Sequence, residues 1–169
     1  MMLGLSLPAF TLVHVIISLI GIVAGLVVMF GLLGSKPMPG LTAIFLLFTI
    51  LTSATGFLFP FKELLPSHII GIISLVLLAI ACLALYAMRL KGVWRPVYIV
   101  TAMISLYFNC FVLVIQSFLK VPALAALAPA VPPNPPGGPV FAVVQGIVLV
   151  FFVVLTIGAW RRFKPMLFA

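Results

Sequence analysis

The sequence predicts an all-α integral membrane protein, built as a bundle of five transmembrane helices. Hydrophobic residues make up 66% of the 169 residues and charged residues only 6%, whereas soluble domains are roughly one quarter charged. In addition, five apolar runs contain no internal Asp, Glu, Lys or Arg. Each run reaches the length of about 20 helical residues that crosses a hydrocarbon core about 30 Å thick.

The five runs are separated by segments rich in proline, glycine or charge, such as residues 34–40 and 89–96. The predicted spans cover residues 7–33, 41–61, 69–88, 97–119 and 140–160, and the chain 1–169 is predicted to form a single transmembrane domain. The first run is longer than the core of a signal peptide, which is roughly 7–15 residues. We therefore expect it to be the first span.

Lysine and arginine lie at alternate ends of the runs. If the N-terminus is outside, the inner side carries Lys36, Arg89, Lys91, Arg95, Arg161, Arg162 and Lys164. The outer side then carries only Lys120 and Lys62, which is next to Glu63. Cytoplasmic loops carry the excess of basic residues, so the sequence predicts an outside N-terminus and a cytoplasmic C-terminus. The net charge of +8 does not predict nucleic-acid binding, because the cations do not form one patch.

The connection over residues 120–139 is predicted to be an external, proline-rich loop. Residues 132–139 contain five prolines, and proline lacks the N–H that a helix needs, so this part is expected to be an extended strap. Residues 123–128 could form one short helical turn before it. The loop is either a tether between two helices or a lid that docks on a partner.

Polar side chains inside a bilayer are costly and tend to face the interior of the bundle. On this basis the sequence predicts an outward-opening polar pocket lined by His14, Ser18, His68, Asn109, Gln116 and Gln145. His14 and Ser18 share one face of the first helix because they are four residues apart. The alternative is that each polar group only forms a hydrogen bond between helices.

The two histidines are the residues most suggestive of a cofactor. The segments that begin at His14 and His68 resemble each other and both start inward-running helices, so the two imidazoles could face each other. Facing histidines can bind a haem b iron. Contact with a quinone or lipid headgroup is a second possibility, and an interfacial structural role is a third. Two histidines do not complete a catalytic zinc site, which has three protein ligands.

Gly21 and Gly25 form a GxxxG motif on the first helix. Small residues at this spacing allow two helix backbones to approach closely. The partner helix could belong to the same chain or to a second copy in a homo-oligomer.

Three stretches carry a resemblance to known proteins: residues 55–61 (TGFLFPF), 68–75 (HIIGIISL) and 109–129 (NCFVLVIQSFLKVPALAALAP). In these stretches the chain resembles a group of small, multi-spanning bacterial inner-membrane proteins that have no assigned activity. The resemblance would cover most of the chain. It implies a location in the bacterial cytoplasmic membrane, and it implies no activity.

Glu63 is the only acidic residue, which excludes acid–base chemistry by paired carboxylates. The sequence also contains no GxSxG, P-loop or HExxH motif. The predicted function is therefore non-enzymatic: an accessory or assembly subunit of a larger membrane complex, surrounded by lipid and other subunits or by copies of itself. The alternative is an electron-transfer subunit that binds haem b or quinone through His14 and His68. A small-molecule pore is a weaker alternative.

Overall fold

A computed structural model of the chain describes residues 4–60, 66–130 and 136–164. The helices are α1 (Leu7–Leu33), α2 (Pro39–Gly56), α3 (Pro66–Cys82), α4 (Trp94–Lys120), α5 (Pro122–Leu127) and α6 (Pro139–Arg162). A π-helical turn, Leu83–Ala87, continues α3. In the described ranges, five helices are long and apolar enough to cross a membrane. The prediction of an all-helical chain with five helices of this kind is confirmed.

Proline marks the beginning of several helices. Pro39, Pro122 and Pro139 are the first residues of α2, α5 and α6, where the missing N–H has no partner to lose. At the start of α1, the Ser6 hydroxyl accepts a hydrogen bond from the backbone N–H of Ala9 at 3.4 Å. These residues explain why each helix starts where it does.

The second helix is shorter than the sequence predicted. It was expected over residues 41–61, but α2 ends at Gly56 and residues 57–60 are not helical, while residue 61 lies outside the described residues. The residue before a proline is disfavoured in the helical conformation, and Phe59 precedes Pro60. The chain therefore leaves the helix before Pro60, and the rings of Phe57 and Phe59 turn toward neighbouring helices.

The predicted loop 120–139 is partly helical. Residues 122–127 form the short helix α5, which packs against the end of α4. Half of the predicted extended strap 132–139, namely residues 132–135, lies outside the described residues, and its last residue, Pro139, begins α6. Gly138, which precedes α6, has a φ of 88°, a left-handed conformation that glycine adopts without strain.

Two sets of contacts define the two ends of the bundle. Lys164 N–H donates to the Ser35 hydroxyl at 2.8 Å, and the Arg95 guanidinium donates to the Trp160 and Phe163 carbonyls. The ends of α1 and α6 and the start of α4 therefore lie together. We call this the basic end, because Lys36, Arg89, Lys91, Arg95, Arg161, Arg162 and Lys164 lie at it or in the loops that close it.

At the opposite end, the start of α1 meets the end of α2, where the His14 ring bonds to Thr55. The end of α4 meets the start of α6 there, with the Phe118 and Phe141 ring centroids 5.4 Å apart. Consecutive long helices thus run antiparallel, as the alternation of basic loops predicted.

The hydrophobic core lies toward the basic end. It includes Met29 of α1, Phe45 of α2, Leu78 of α3 and Tyr98 and Leu106 of α4, all nearly or completely inaccessible to solvent. Helix α4 is central, since it packs against α1, α2, α3 and α6. Helix α6 is peripheral, and few of its side chains are buried.

The GxxxG face of α1 packs within the chain. A Cβ atom at Gly21 would lie 3.3 Å from the backbone of α2 at Phe48 and Thr49. A Cβ atom at Gly25 would lie 2.6 Å from Leu106 Cδ1 and 2.8 Å from Phe45 Cδ2. Both glycines are buried, so this face is occupied by α2 and α4 and is not available to a second copy.

Replacing Gly25 with alanine is expected to destabilise the protein by about 1–3 kcal/mol, because the new methyl group overpacks the contact with Leu106 and Phe45. The matched control is Gly146→Ala in α6, where a Cβ meets nothing within 4 Å. That control should be neutral or stabilising, since alanine favours a helix by about 0.5–1 kcal/mol over glycine. Thermal unfolding in the same detergent measures both. Equal stability of the two variants would contradict the close packing.

Candidate functional site

A cavity of about 600 Å³ lies at the end of the bundle opposite the basic end. It is enclosed by the first turns of α1 and α3 and the last turns of α2 and α4, and we call this the cavity end. Small-molecule sites in proteins typically have volumes of about 300–1,000 Å³. The cavity is therefore large enough for a ligand, and its lining is mostly apolar with a few polar groups.

One face of α1 contributes Thr11, His14 and Ser18 to the cavity. The Thr11 hydroxyl donates to the Leu7 carbonyl at 2.8 Å, and the Ser18 hydroxyl donates to the His14 carbonyl at 2.7 Å. Each hydroxyl therefore donates its only proton to a carbonyl of its own helix. Toward the cavity these two hydroxyl groups can act only as acceptors.

His14 is held in one orientation by α2. Its Nδ1 lies 2.7 Å from the Thr55 hydroxyl oxygen, and that hydroxyl donates to the Leu51 carbonyl, also at 2.7 Å. With the Thr55 proton on the Leu51 carbonyl, the Thr55 oxygen accepts from His14, and in this arrangement Nδ1 carries the proton. Neutral imidazole has one donor and one acceptor nitrogen, so Nε2 keeps its lone pair.

His68 also lines the cavity, from the first turn of α3. It is 6% exposed, so its ring is buried among protein atoms. Its ring packs against Phe57, with centroids 5.6 Å apart and the planes inclined by 37°. Helix α2, which packs against both α1 and α3, is what brings His14 and His68 to one cavity.

Helix α4 supplies the amide groups of the site. Asn109 and Gln116, seven residues apart, lie on one face and both line the cavity, as does Lys120 at the end of the helix. Asn109 Nδ2 is buried and has no hydrogen-bond partner among the described residues. A buried donor without a partner costs about 1–3 kcal/mol, which an acceptor atom placed in the cavity would recover.

Gln145 was predicted to line the same pocket, and this prediction is wrong. Its Nε2 donates to the Phe111 carbonyl of α4 at 3.2 Å, and it is not among the residues that line the cavity. Helix α6 packs against α4 and α1, and at Gln145 it meets the backbone of α4, so the side chain bonds between helices. For Gln145, the alternative of a bond between helices is the correct one.

The cavity also has an aromatic wall, which was not predicted from the sequence. The rings of Phe57, Phe59 and Phe108 line the cavity. Phe59 lies edge-on to His14, with centroids 5.2 Å apart. The available signal was Pro60, which requires the chain to leave the helix before it and so frees the preceding phenylalanines to turn inward.

Among the described residues, the cavity lining contains no carboxylate, and Lys120 is its only permanent cation. Among the described lining side chains, the amides of Asn109 and Gln116 and the Lys120 ammonium group can donate hydrogen bonds to a ligand. Acceptor atoms on a ligand suit such a lining, and a single cation does not match a doubly charged head. The arrangement fits binding better than acid–base chemistry.

The sequence matches no protein-family model, and no curated protein or solved structure is significantly similar to it. Function is therefore inferred from the chemistry of the cavity.

The His14 tautomer can be tested with Thr55→Val, which removes the acceptor for Nδ1–H and keeps the shape of the side chain. We expect the His14 ring to lose its Nδ1–H tautomer, because the hydrogen bond at one ring nitrogen sets the protonation of the other. Nitrogen-15 NMR of labelled histidine measures this, with His68→Gln used to assign the signals.

The matched control for this experiment is Thr52→Val. The Thr52 hydroxyl also lies on α2 beside the cavity but donates to the Phe48 carbonyl, so the His14 signals should stay unchanged. If Thr55→Val and Thr52→Val give the same histidine spectrum, the bond between His14 and Thr55 does not determine the tautomer.

Proposed function

We propose that this protein is a non-enzymatic, multi-pass membrane subunit that holds a molecule of the quinone class in the cavity, as an accessory subunit of a larger electron-transfer complex. The observation that carries the proposal is the buried Asn109 Nδ2, which has no partner among the described residues and belongs to a residue that lines the cavity. A quinone is a flat, neutral ring with two carbonyl acceptors and an apolar tail.

The depth and the aromatic lining of the cavity suit a ligand with a flat ring that carries acceptor atoms. Asn109 lies 11 residues before Lys120 on α4, which places it about 16 Å deeper at 1.5 Å per residue. The rings of Phe57, Phe59 and Phe108 offer the faces and edges on which a flat ring packs. A phosphate head is a poorer match at that depth, because the one lining cation is at the mouth.

His14 provides an acceptor for the reduced form of the ligand, a quinol. Its Nε2 has a lone pair, since Nδ1–H is bonded to Thr55. A quinol carries hydroxyl groups in place of carbonyls, and a hydroxyl can donate to that lone pair. Asn109 can donate to a carbonyl or to a hydroxyl oxygen, whereas His14 Nε2 can accept only from a hydroxyl, so the two contacts together favour the reduced ring.

We also propose that the protein lies in the bacterial cytoplasmic membrane with the cavity end outside and the basic end in the cytoplasm. The distribution of charge supports this orientation. Seven cations belong to the basic end, while Lys120 is the only described cation at the other end; Lys62 and Glu63 lie outside the described residues. Trp94 and Trp160 belong to the basic end, at the level of an interfacial aromatic belt.

A pore is a weaker candidate because of what fills the rest of the bundle. The half toward the basic end is occupied by a core that includes Met29, Phe45 and Tyr98. A continuous path would need a polar lining there, and the described core side chains are mainly apolar.

The orientation can be tested with single cysteines at Lys91 and Ala126 in a background of Cys82→Ala and Cys110→Ala. Both positions are exposed, and they lie in the loop after α3 and on α5. We expect an impermeant maleimide applied to intact cells to label Ala126→Cys, and to label Lys91→Cys only after permeabilisation. The reverse pattern would invert the proposed orientation. Labelling of both in intact cells would contradict a membrane-spanning bundle.

The ligand can be tested with Asn109→Leu, which removes the unpaired donor and keeps most of the volume. We expect a short-chain quinone to bind roughly 3- to 10-fold more weakly, the equivalent of one hydrogen bond of about 0.5–1.5 kcal/mol. Binding is measured by the rise in unfolding temperature with quinone concentration. Endogenous quinone is measured by mass spectrometry of the purified protein.

The matched control is Gln145→Leu, which removes a buried amide that does not line the cavity, and quinone binding should be unchanged. The absence of any quinone effect on the wild-type protein would contradict the proposal. If the reduced protein instead shows sharp visible bands that are lost in both His14→Ala and His68→Ala, the ligand is haem b. The Nε2 lone pair of His14 is the feature that suits such ligation.

A further inference from the structure

A second cavity, of about 410 Å³, lies at the basic end between α1 and the last two turns of α6. Its wall on the α1 side is Leu33, and the rest comes from α6. Val154, Gly158 and Arg161 recur there at steps of four and three residues, so they share one face of the helix. Gly158 makes the groove possible, because Leu33 Cδ2 lies 2.7 Å from where a Cβ of residue 158 would be.

The groove changes from apolar to cationic along its length. Val154 and Ile157 are exposed apolar side chains, 60% and 46% accessible. Arg161 and Arg162 follow in the last turn of α6, and both are exposed. Long basic side chains at a helix end extend their charged groups to the interface and leave their stems on apolar surface. The result is an apolar track that ends in two guanidinium groups.

These two guanidinium groups have no acidic side chain to pair with in the described part of the chain. Glu63, the only acid in the sequence, lies outside the described residues, in the connection between α2 and α3. Arg95, which is nearby in the fold, is already engaged with the Trp160 and Phe163 carbonyls of α6. Arg161 and Arg162 are therefore available to an anion from outside the described chain.

We infer that this groove binds an anionic phospholipid of the inner leaflet. One acyl chain lies along Val154 and Ile157, and the phosphate is bound between Arg161 and Arg162. Basic pockets between transmembrane helices on the cytoplasmic side bind phosphate headgroups in this way, and guanidinium matches phosphate in two-point hydrogen bonding. Trp160, which is 48% exposed, lies beside the headgroup. The inference rests on the membrane placement proposed above and is independent of the quinone.

Arg89 and Lys91 provide the comparison within the same chain. They lie at the same end, in the loop after α3, but neither residue lines this groove. Removing them lowers the charge of the basic end by as much as removing Arg161 and Arg162. A specific lipid site therefore requires the α6 pair, whereas general attraction of anionic lipid to a basic surface depends equally on either pair.

The test uses Trp160 as the reporter, in a Trp94→Phe background that leaves it the only tryptophan. The protein is placed in vesicles with increasing fractions of brominated phosphatidylglycerol or brominated phosphatidylcholine, and quenching of Trp160 fluorescence is followed. We expect half-maximal quenching at a lower fraction of phosphatidylglycerol. Arg161→Gln and Arg162→Gln should each reduce this preference roughly 5-fold, while Arg89→Gln with Lys91→Gln should leave it unchanged.

Equal quenching by the two lipids would overturn the lipid site but not the membrane placement. The same holds if the α6 and loop variants lose the preference for phosphatidylglycerol equally. No quenching by either lipid would overturn the membrane placement together with the site. Quinone binding by the Arg161→Gln/Arg162→Gln protein should equal that of the parent protein. A failure of the quinone proposal is therefore detected independently of the lipid site.

Discussion

The close approach of α1 to α2 and α4 at Gly25 is the contact on which the arrangement of the rest depends. The backbone of α1 is held so near Phe45 and Leu106 that no Cβ fits between them. From Gly21 to Leu32 the helix is largely buried, whereas in its first turns only Phe10 is. The helices are thus drawn together toward the basic end, and at the other end they enclose a cavity. Membrane helices gain little from hydrophobic burial in lipid, so such close packing is a main source of association.

Hydroxyl groups and amides play different parts in this bundle. Most described threonine and serine hydroxyls in the helices donate to a carbonyl three or four residues earlier on the same helix, as Thr49 and Ser105 do. These bonds satisfy the proton and leave little capacity to recognise a ligand. The amide nitrogen of Asn109 is buried and has no partner among the described residues, and the residue lines the cavity. Chemical specificity in the site therefore comes from Asn109 and from the orientation of His14, more than from the many hydroxyls around them.

Most of the charged side chains lie at the end of the bundle opposite the polar groups of the cavity. The cavity end has one described cation, while the basic end has seven and no described acid. Within the basic end the arginines differ in their contacts: Arg95 holds the last turn of α6 through two carbonyls, whereas Arg161 and Arg162 are exposed and line the groove. The basic end therefore contains both the structural contact made by Arg95 and the proposed recognition site at Arg161 and Arg162. Their difference lies in whether a backbone carbonyl is within reach of the guanidinium.

The sequence by itself determined the number of spanning-length helices, because an apolar run of about 20 residues without charge has few other uses. It also determined which face of each helix is polar, since the spacing of Thr11, His14 and Ser18, or of Asn109 and Gln116, follows the helical period. Which helices those faces meet was decided only in three dimensions. Every span is apolar on most sides, so periodicity does not choose a neighbour. For that reason Gln145 was wrongly assigned to the cavity.

The role of Thr55 in holding His14 and the inward turn of Phe57 and Phe59 were decided in three dimensions as well. They depend on where α2 ends, four residues before Pro60, and on its packing against both α1 and α3. Helix ends are set by local chemistry that the sequence displays, but the partner that a freed side chain meets is set by packing. The tertiary structure therefore decided which predicted polar residues share one cavity.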